Sequence, residues 1–172
     1  MAWIKSVVVV MGSFLIPLGS SAAIPSANKA APQKPAKILA RQGAISGGLA
    51  GNGFSIRDVA LLKLPQKERL IIDMGDINGG VLRGLPAYYH AELQENPPRL
   101  ILDFAQTPRT LLEERNFRTK LKDSKRISFS QMLLDPTDQT MSLIFNLKKG
   151  TKAQVFQVRG EKGTGRVVVE LQ

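Results

Sequence analysis

The sequence predicts an all-β fold: a sandwich of two similar small antiparallel sheets with one short helix. Short runs of alternating residues recur from residue 54 to the C-terminus, and turn residues separate them. The clearest run is 99–104, where Leu100, Leu102 and Phe104 fall on one face. Its other face carries a basic, an aliphatic and an acidic residue. That order occurs three times in the chain, which indicates an internal duplication.

Residues 1–23 have the pattern of a secretory signal peptide. One positive charge precedes an apolar run over residues 6–18, which is too short to span a bilayer comfortably. The small residues Ser21 and Ala23 then predict cleavage after Ala23. We therefore expect a periplasmic protein with no transmembrane segment after signal cleavage. The alternative is an uncleaved N-terminal anchor, and Pro17 together with the small residues argues against it.

Residues 24–53 are predicted to form a disordered tether. Residues 24–37 are rich in Ala, Pro, Lys and Ser, and residues 42–53 hold five glycines with little bulk. A phosphate-binding loop would need a helix after the glycines, and a strand pattern follows instead. The folded domain is therefore placed at residues 54–172.

Within this domain the pattern predicts strands and one helix in order. Thr110 is predicted to cap the helix, and Glu113 completes a capping box, so the helix should cover Leu111–Phe117. The predicted strands are Phe54–Lys63, Arg69–Met74, Ala87–Gln94, Arg99–Phe104, Ile127–Leu134, Met141–Lys148, Ala153–Arg159 and Arg166–Leu171.

The duplication can be aligned strand by strand. We expect the two halves to face each other and to bury their apolar faces as one core. The matching segments are Leu70–Asp73 with Leu143–Asn146, Arg99–Phe104 with Arg166–Leu171 and, more loosely, Ala87–Leu93 with Ala153–Val158.

Composition restricts the class of protein and of partner. The chain has no cysteine, so an exported domain of this size must rely on a hydrophobic core rather than on disulfides. The net charge is +10, and residues 54–172 keep 19 of the 24 basic residues together with all 14 acidic ones. A basic exported protein favours anionic partners, such as cell-wall carboxylates, lipid phosphates or an acidic protein, over nucleic acid.

No catalytic or metal-binding constellation is recognisable in the sequence. His90 is the only histidine, and it is expected to lie solvated on an outward face with Tyr88 and Glu92. Three acids end the repeated motif, and cross-strand pairing with arginine explains them more simply than catalysis does. These acids are Asp73, Asp103 and Glu170. We therefore expect a protein that is not an enzyme and has no cofactor and no metal.

Two features remain as candidate ligand-binding surfaces. One is a basic run after the predicted helix. The alternative is that this run is only a solvated connector. The other is the region of Arg99 and Tyr88, since alternation sends one of Tyr88 and Tyr89 outward, where its ring could stack on a sugar. The basic run consists of Arg115, Arg118, Lys120, Lys122, Lys125 and Arg126.

The run Pro98–Phe104 resembles the central strand of AMIN domains, in which a proline, an arginine, aliphatic residues and an aspartate follow an aromatic-rich strand. The likeness extends over roughly residues 54–172. It implies a β-sandwich of two similar sheets. AMIN domains target periplasmic cell-wall amidases and type IV pilus secretins, so the resemblance implies peptidoglycan binding or placement at division sites. Neither an amidase nor a secretin domain follows in this sequence.

Together these observations predict a non-catalytic exported module that binds peptidoglycan, another anionic envelope polymer or a cell-envelope assembly. The alternative is a protein-binding accessory of a type IV pilus or secretin system, which could accept a partner strand at a sheet edge.

Overall fold

The computed structural model describes residues 42–159 and 163–172, together with the backbone of residues 38–39. The predicted signal peptide and most of the predicted tether lie outside these residues. The helix α1 spans Glu114–Leu121. The strands are β1 (Ile38–Leu39), β2 (Gly43–Gly47), β3 (Phe54–Lys63), β4 (Glu68–Asp76), β5 (Tyr89–Gln94), β6 (Arg99–Phe104), β7 (Arg109–Thr110), β8 (Ile127–Asp135), β9 (Thr140–Leu147), β10 (Ala153–Arg159) and β11 (Gly165–Leu171).

The strands form two mainly antiparallel sheets, and the predicted all-β sandwich is confirmed. Sheet A has the order β1-β10-β11-β4-β3-β7, and sheet B has the order β2-β5-β6-β9-β8. In sheet A, the two-residue β7 pairs in parallel with β3, whereas the other neighbours are antiparallel. All eight predicted strands are present, with bounds that differ by no more than two residues.

The internal repeat is visible as equivalent strand orders in the two sheets. The series β1-β10-β11-β4-β3 of sheet A corresponds to β2-β5-β6-β9-β8 of sheet B. Even the irregularities match, because β3 bulges between Ile56 and Asp58, and β8 bulges between Ile127 and Phe129. Asp58 and Phe129 are equivalent, since they pair with the aligned residues 73 and 146.

The expectation that the two halves face each other is wrong. The first half places the β3-β4 hairpin in sheet A and the β5-β6 hairpin in sheet B, and the second half does the reverse with β8-β9 and β10-β11. Short turns fix pairing within each hairpin, whereas nothing in a strand's alternation says which sheet the next hairpin joins.

The core lies between the sheets and is formed by the alternate apolar residues of each strand. In β6, Leu100, Leu102 and Phe104 are fully buried, while the intervening residues are half-buried on the outer face. Phe117 of α1 closes one side of the core and packs edge-on against Phe145, with ring centroids 5.8 Å apart. The prediction that Leu100, Leu102 and Phe104 of β6 share one buried face is therefore confirmed.

The predicted tether extends too far along the chain. Residues Gly43–Gly47 form β2, which pairs antiparallel with β5 along its length. A β-carbon on Gly47 would come within 2.6 Å of the Tyr89 hydroxyl, so a glycine is required where this buried ring crosses β2. In β2, glycine therefore serves close packing rather than flexibility.

The helix begins and ends later than the predicted Leu111–Phe117, and it lacks the predicted cap. Glu113 occupies the N-cap position and makes no side-chain capping hydrogen bond. The hydroxyl of Thr110 accepts from the backbone N–H of Leu112 at 3.0 Å and donates to the carbonyl of Ile56 at 3.2 Å. Thr110 thus holds β7 against β3, because tertiary pairing competes with local capping for the same side chain.

Candidate functional site

Cross-strand ion pairs occupy the outer face of sheet A. Glu170 lies opposite Arg69, and its carboxylate accepts hydrogen bonds from Arg69 Nε at 3.0 Å and from Lys67 Nζ at 2.6 Å. Arg166 pairs in the same way with Asp73. Burial by itself raises the pKa of Glu170, but the hydrogen bonds and charges of Lys67 and Arg69 outweigh burial and lower this pKa. The predicted pairing is confirmed for both acids.

The outer face of sheet B lacks these ion pairs at the equivalent positions. Arg99 lies opposite Asn146, where sheet A has an aspartate. The Nε atom of Arg99 is buried without a hydrogen-bond partner, and no ion pair joins Arg99 to another described residue. Asp103 accepts a hydrogen bond from Ser142 Oγ at 2.6 Å. The predicted pairing with arginine is therefore wrong for Asp103.

A polar row containing the single histidine crosses the same face. His90 is half-exposed, and its Nδ1 lies 3.0 Å from Ser46 Oγ. Asp103 is opposite His90 in the ladder, yet its hydrogen bond goes to Ser142. A catalytic triad requires a carboxylate bonded to the histidine, and no such bond is formed among the described residues.

The helical part of the predicted basic run is largely committed to ion pairs. Arg118 pairs with Glu114, one turn earlier on α1, at 2.6 Å. Lys120 pairs with Asp58 on β3 and so ties the helix to the edge of sheet A. Arg115 is exposed on the same helix. Arg118 and Lys120 therefore have structural partners, whereas Arg115 forms no ion pair with a described residue.

The loop after α1 is fixed by a buried carboxylate. Glu68 is 4% exposed, and it accepts hydrogen bonds from Ser124 Oγ and from the backbone N–H groups of Lys125 at 2.7 Å and of Arg126 at 3.2 Å. Because the carboxylate holds their backbone, the side chains of Lys125 and Arg126 project from fixed positions at the surface. Lys122 lies exposed at the end of the helix.

Cations from several turns join this loop at one end of the sandwich, which we name the basic end. Four segments lie at this end: the turn after β3, the turn after β9, the loop before β8 and the C-terminus. The end of β3 meets the start of β4 there, because Lys63 pairs with Glu68, and the start of β10 meets the end of β11, because Ala153 pairs with Leu171. None of its members is in an ion pair with a described residue. The basic end consists of Lys63, Lys122, Lys125, Arg126, Lys148, Lys149 and Lys152.

Two of the open depressions at this end border members of the basic end. One, of about 170 Å³, separates the β3-β4 turn from the loop before β8 and is lined by Lys63, Lys67, Lys125 and Arg126 among others. The second, of about 510 Å³, lies between the β5-β6 turn and residues 149–151. The basic end therefore offers recessed as well as projecting cations to an anionic ligand.

The other predicted candidates are separated in space. Tyr88 is 39% exposed and Tyr89 is 2% exposed, so the prediction of one outward and one inward ring is confirmed. Arg99 pairs with Gln94 at the basic end, whereas Tyr88 precedes β5 at the opposite end. Six residues of strand separate them, roughly 20 Å, so they do not form one site.

Sequence reasoning missed most of the basic end. Lys63, Lys148, Lys149 and Lys152 flank turns that are distant in sequence from the predicted basic run. A usable signal existed, because alternate connections of antiparallel hairpins return to the same end of a sheet. Lysines that flank such turns therefore lie at one end of the fold although they are far apart in sequence.

Within the described residues, no group of three or more histidine, aspartate or glutamate side chains is placed to hold a metal ion. In that same part of the chain, no helix has the length and apolar character needed to cross a membrane.

Comparison with known proteins leaves the family unassigned. No protein-family model matches this chain, and no curated protein shows a significant match to it.

Proposed function

We propose that this protein is a non-catalytic binding module of the cell envelope that holds an anionic polymer, with peptidoglycan as the first candidate. The observation that carries the proposal is the basic end, where cations without carboxylate partners converge from distant turns. The signal-like N-terminus and the resemblance to AMIN domains support an envelope location and a cell-wall ligand.

Binding would depend on many weak contacts made together. One exposed ion pair stabilises a complex little, roughly 0–1 kcal/mol. Peptidoglycan repeats carboxylates along its stem peptides, so several cations at one rigid end can engage one polymer, and avidity rises with each simultaneous contact. Arg126 can bind a carboxylate through two N–H groups, whereas the lysines act as point charges. Salt screens all of these contacts.

Cosedimentation with purified peptidoglycan sacculi tests the proposal. Changing Lys122, Lys125 and Lys149 to Ser should weaken binding by about tenfold at low salt, because three contacts are lost together. The control changes Arg83, Arg109 and Arg115 to Ser, which removes the same charge from exposed positions outside the basic end. Thermal unfolding of both variants shows that each is folded.

Three outcomes would overturn the proposal. Equal weakening in both variants would show that net charge matters and the basic end does not. Binding to vesicles of anionic phospholipid without binding to sacculi would replace peptidoglycan by lipid phosphate. Clearing of peptidoglycan in a zymogram would contradict a non-catalytic role.

The rival function is a protein-binding accessory of a type IV pilus or secretin system. It predicts no retention on sacculi or vesicles by the folded protein, and capture of an envelope protein instead. Genes for pilus or secretion components beside this gene would favour the rival, whereas genes for cell-wall synthesis would favour the first proposal.

A further inference from the structure

The last strand of sheet B presents an unusually apolar open edge. β8 pairs with β9 on one side only; α1 packs against its first half, and within the described residues no strand covers its other side. Three of its large side chains are markedly exposed: Phe129 at 43%, Leu133 at 46% and Leu134 at 45%. Leu133 belongs to the outer face and Leu134 to the inner face, so apolar surface borders the free edge on both faces.

The equivalent edge of sheet A is protected. There β3 is paired with β7 near its start, and Lys120 from α1 reaches its Asp58. The strand also carries a charge at its end, where Lys63 is equivalent to Leu134 of β8. Charges and covering segments are the usual protections of an edge strand. From Ile127 to Leu134, β8 contains no charged residue and no proline.

Charges at the two ends of β8 are complementary. Arg118 lies over the ring of Phe129, 5.0 Å from its centroid, near the start of the strand, and its ion-pair partner on α1 is the exposed Glu114. Asp135 and Asp138 form the hairpin tip at the other end, where each accepts a hydrogen bond from a nearby backbone N–H. Two antiparallel copies of β8 would bring the acidic tip of each beside the arginine of the other.

We propose that β8 is a self-association surface that pairs antiparallel with β8 of a second copy of this chain. The pairing joins two copies of sheet B into one continuous sheet about a two-fold axis. It satisfies the free backbone groups of the edge, covers the exposed leucines and repeats the charge contact twice. This interface is independent of the proposed ligand and lies on a different part of the molecule from most of the basic end.

Sedimentation equilibrium of the full-length chain over a range of concentrations tests the proposal. We expect a monomer–dimer equilibrium, and Leu133→Lys should raise the dimer dissociation constant by about tenfold or more, because pairing would bring the two ammonium groups close together near the two-fold axis. The matched control is Leu62→Lys, at the equivalent position of β3 with 44% exposure. The double variant Asp135→Asn with Asp138→Asn removes both charges but keeps both side-chain oxygens that accept hydrogen bonds in the turn. It should weaken the dimer less than Leu133→Lys does.

Cysteine crosslinking locates the interface directly, because the native chain contains no cysteine. Under oxidation, single cysteines from Gln131 to Asp135 should give disulfide-linked dimers most readily at the position nearest the two-fold axis. Leu62→Cys should give no disulfide-linked dimer. A monomer at all concentrations, equal effects of Leu133→Lys and Leu62→Lys, or crosslinks only to other proteins would each overturn the proposal.

Discussion

At the scale of single residues, buried carboxylates organise this molecule more than its exposed charges do. Glu68 connects the beginning of β4 to the loop before β8 by accepting three hydrogen bonds from that loop. Two of the donors are backbone N–H groups: Glu68 is the acceptor for that of Lys125, whereas that of Arg126 also donates to Ser124 Oγ at 3.1 Å. One side chain in sheet A therefore sets the position of cations that precede sheet B.

Glu68→Ala should lower the free energy of unfolding by about 2–3 kcal/mol, because Ser124, Lys125 and Arg126 lose a common acceptor. Urea denaturation measures this loss, and hydrogen exchange should show faster exchange of the Lys125 and Arg126 amides. Glu95→Ala, at an exposed turn position, is the control. Equal losses in the two variants would contradict the anchoring role.

Glu170 should make stability depend on pH. Its pKa in the folded protein is lowered, so the ion pairs stabilise the fold above the unfolded value of about 4.3, and this contribution is lost as pH falls through the folded pKa. Glu170→Gln should cost about 1–2 kcal/mol near pH 7 and progressively less below about pH 4. Urea denaturation at a series of pH values measures both. A pH-independent difference would contradict the paired carboxylate.

At the scale of elements, β6 shows how alternation determines which side chains are buried and therefore stabilise the fold. Its neighbours β5 and β9 cover both edges, so each residue is distinguished only by the face that it occupies. Leu102 is fully buried between the sheets, whereas the adjacent Ile101 lies half-buried on the outer face. These two residues form a matched pair within one strand.

Leu102→Ala should lower the free energy of unfolding by about 2–5 kcal/mol, because it leaves a cavity between two packed sheets. Ile101→Ala should cost about 1 kcal/mol, since its side chain is partly in contact with water in the folded protein. Chemical denaturation of both variants gives the comparison. A larger loss for Ile101→Ala would mean that the two faces of β6 are assigned the wrong way round.

At the scale of the whole molecule, the exchange of hairpins between sheets determines where function can lie. Because every short connection returns to one of two ends, lysines far apart in sequence gather at the basic end. The same repeat leaves β3 and β8 as equivalent outer strands of the sandwich. Their different sequences leave one edge protected and the other apolar, so two strands in equivalent positions of the fold have different surfaces.

The sequence alone determined the fold class, the strands, the faces of β6 and the repeat that relates Arg99 to Arg166. All of these follow from alternation, turn residues and local similarity, which act over a few neighbouring residues. The same local rules predicted the cross-strand ion pairs of Asp73 and Glu170, because a repeated motif places opposite charges on paired strands.

Only the tertiary structure decided how the repeat is divided between the sheets, that Gly43–Gly47 is a strand, and that Thr110 holds β7 rather than capping α1. It also decided which cations stay unpaired, because pairing of Arg118 and Lys120 depends on which carboxylates packing brings near. These outcomes arise from contacts between residues distant in sequence. Their energies compete with local propensity and often exceed it, so no short window of sequence contains them.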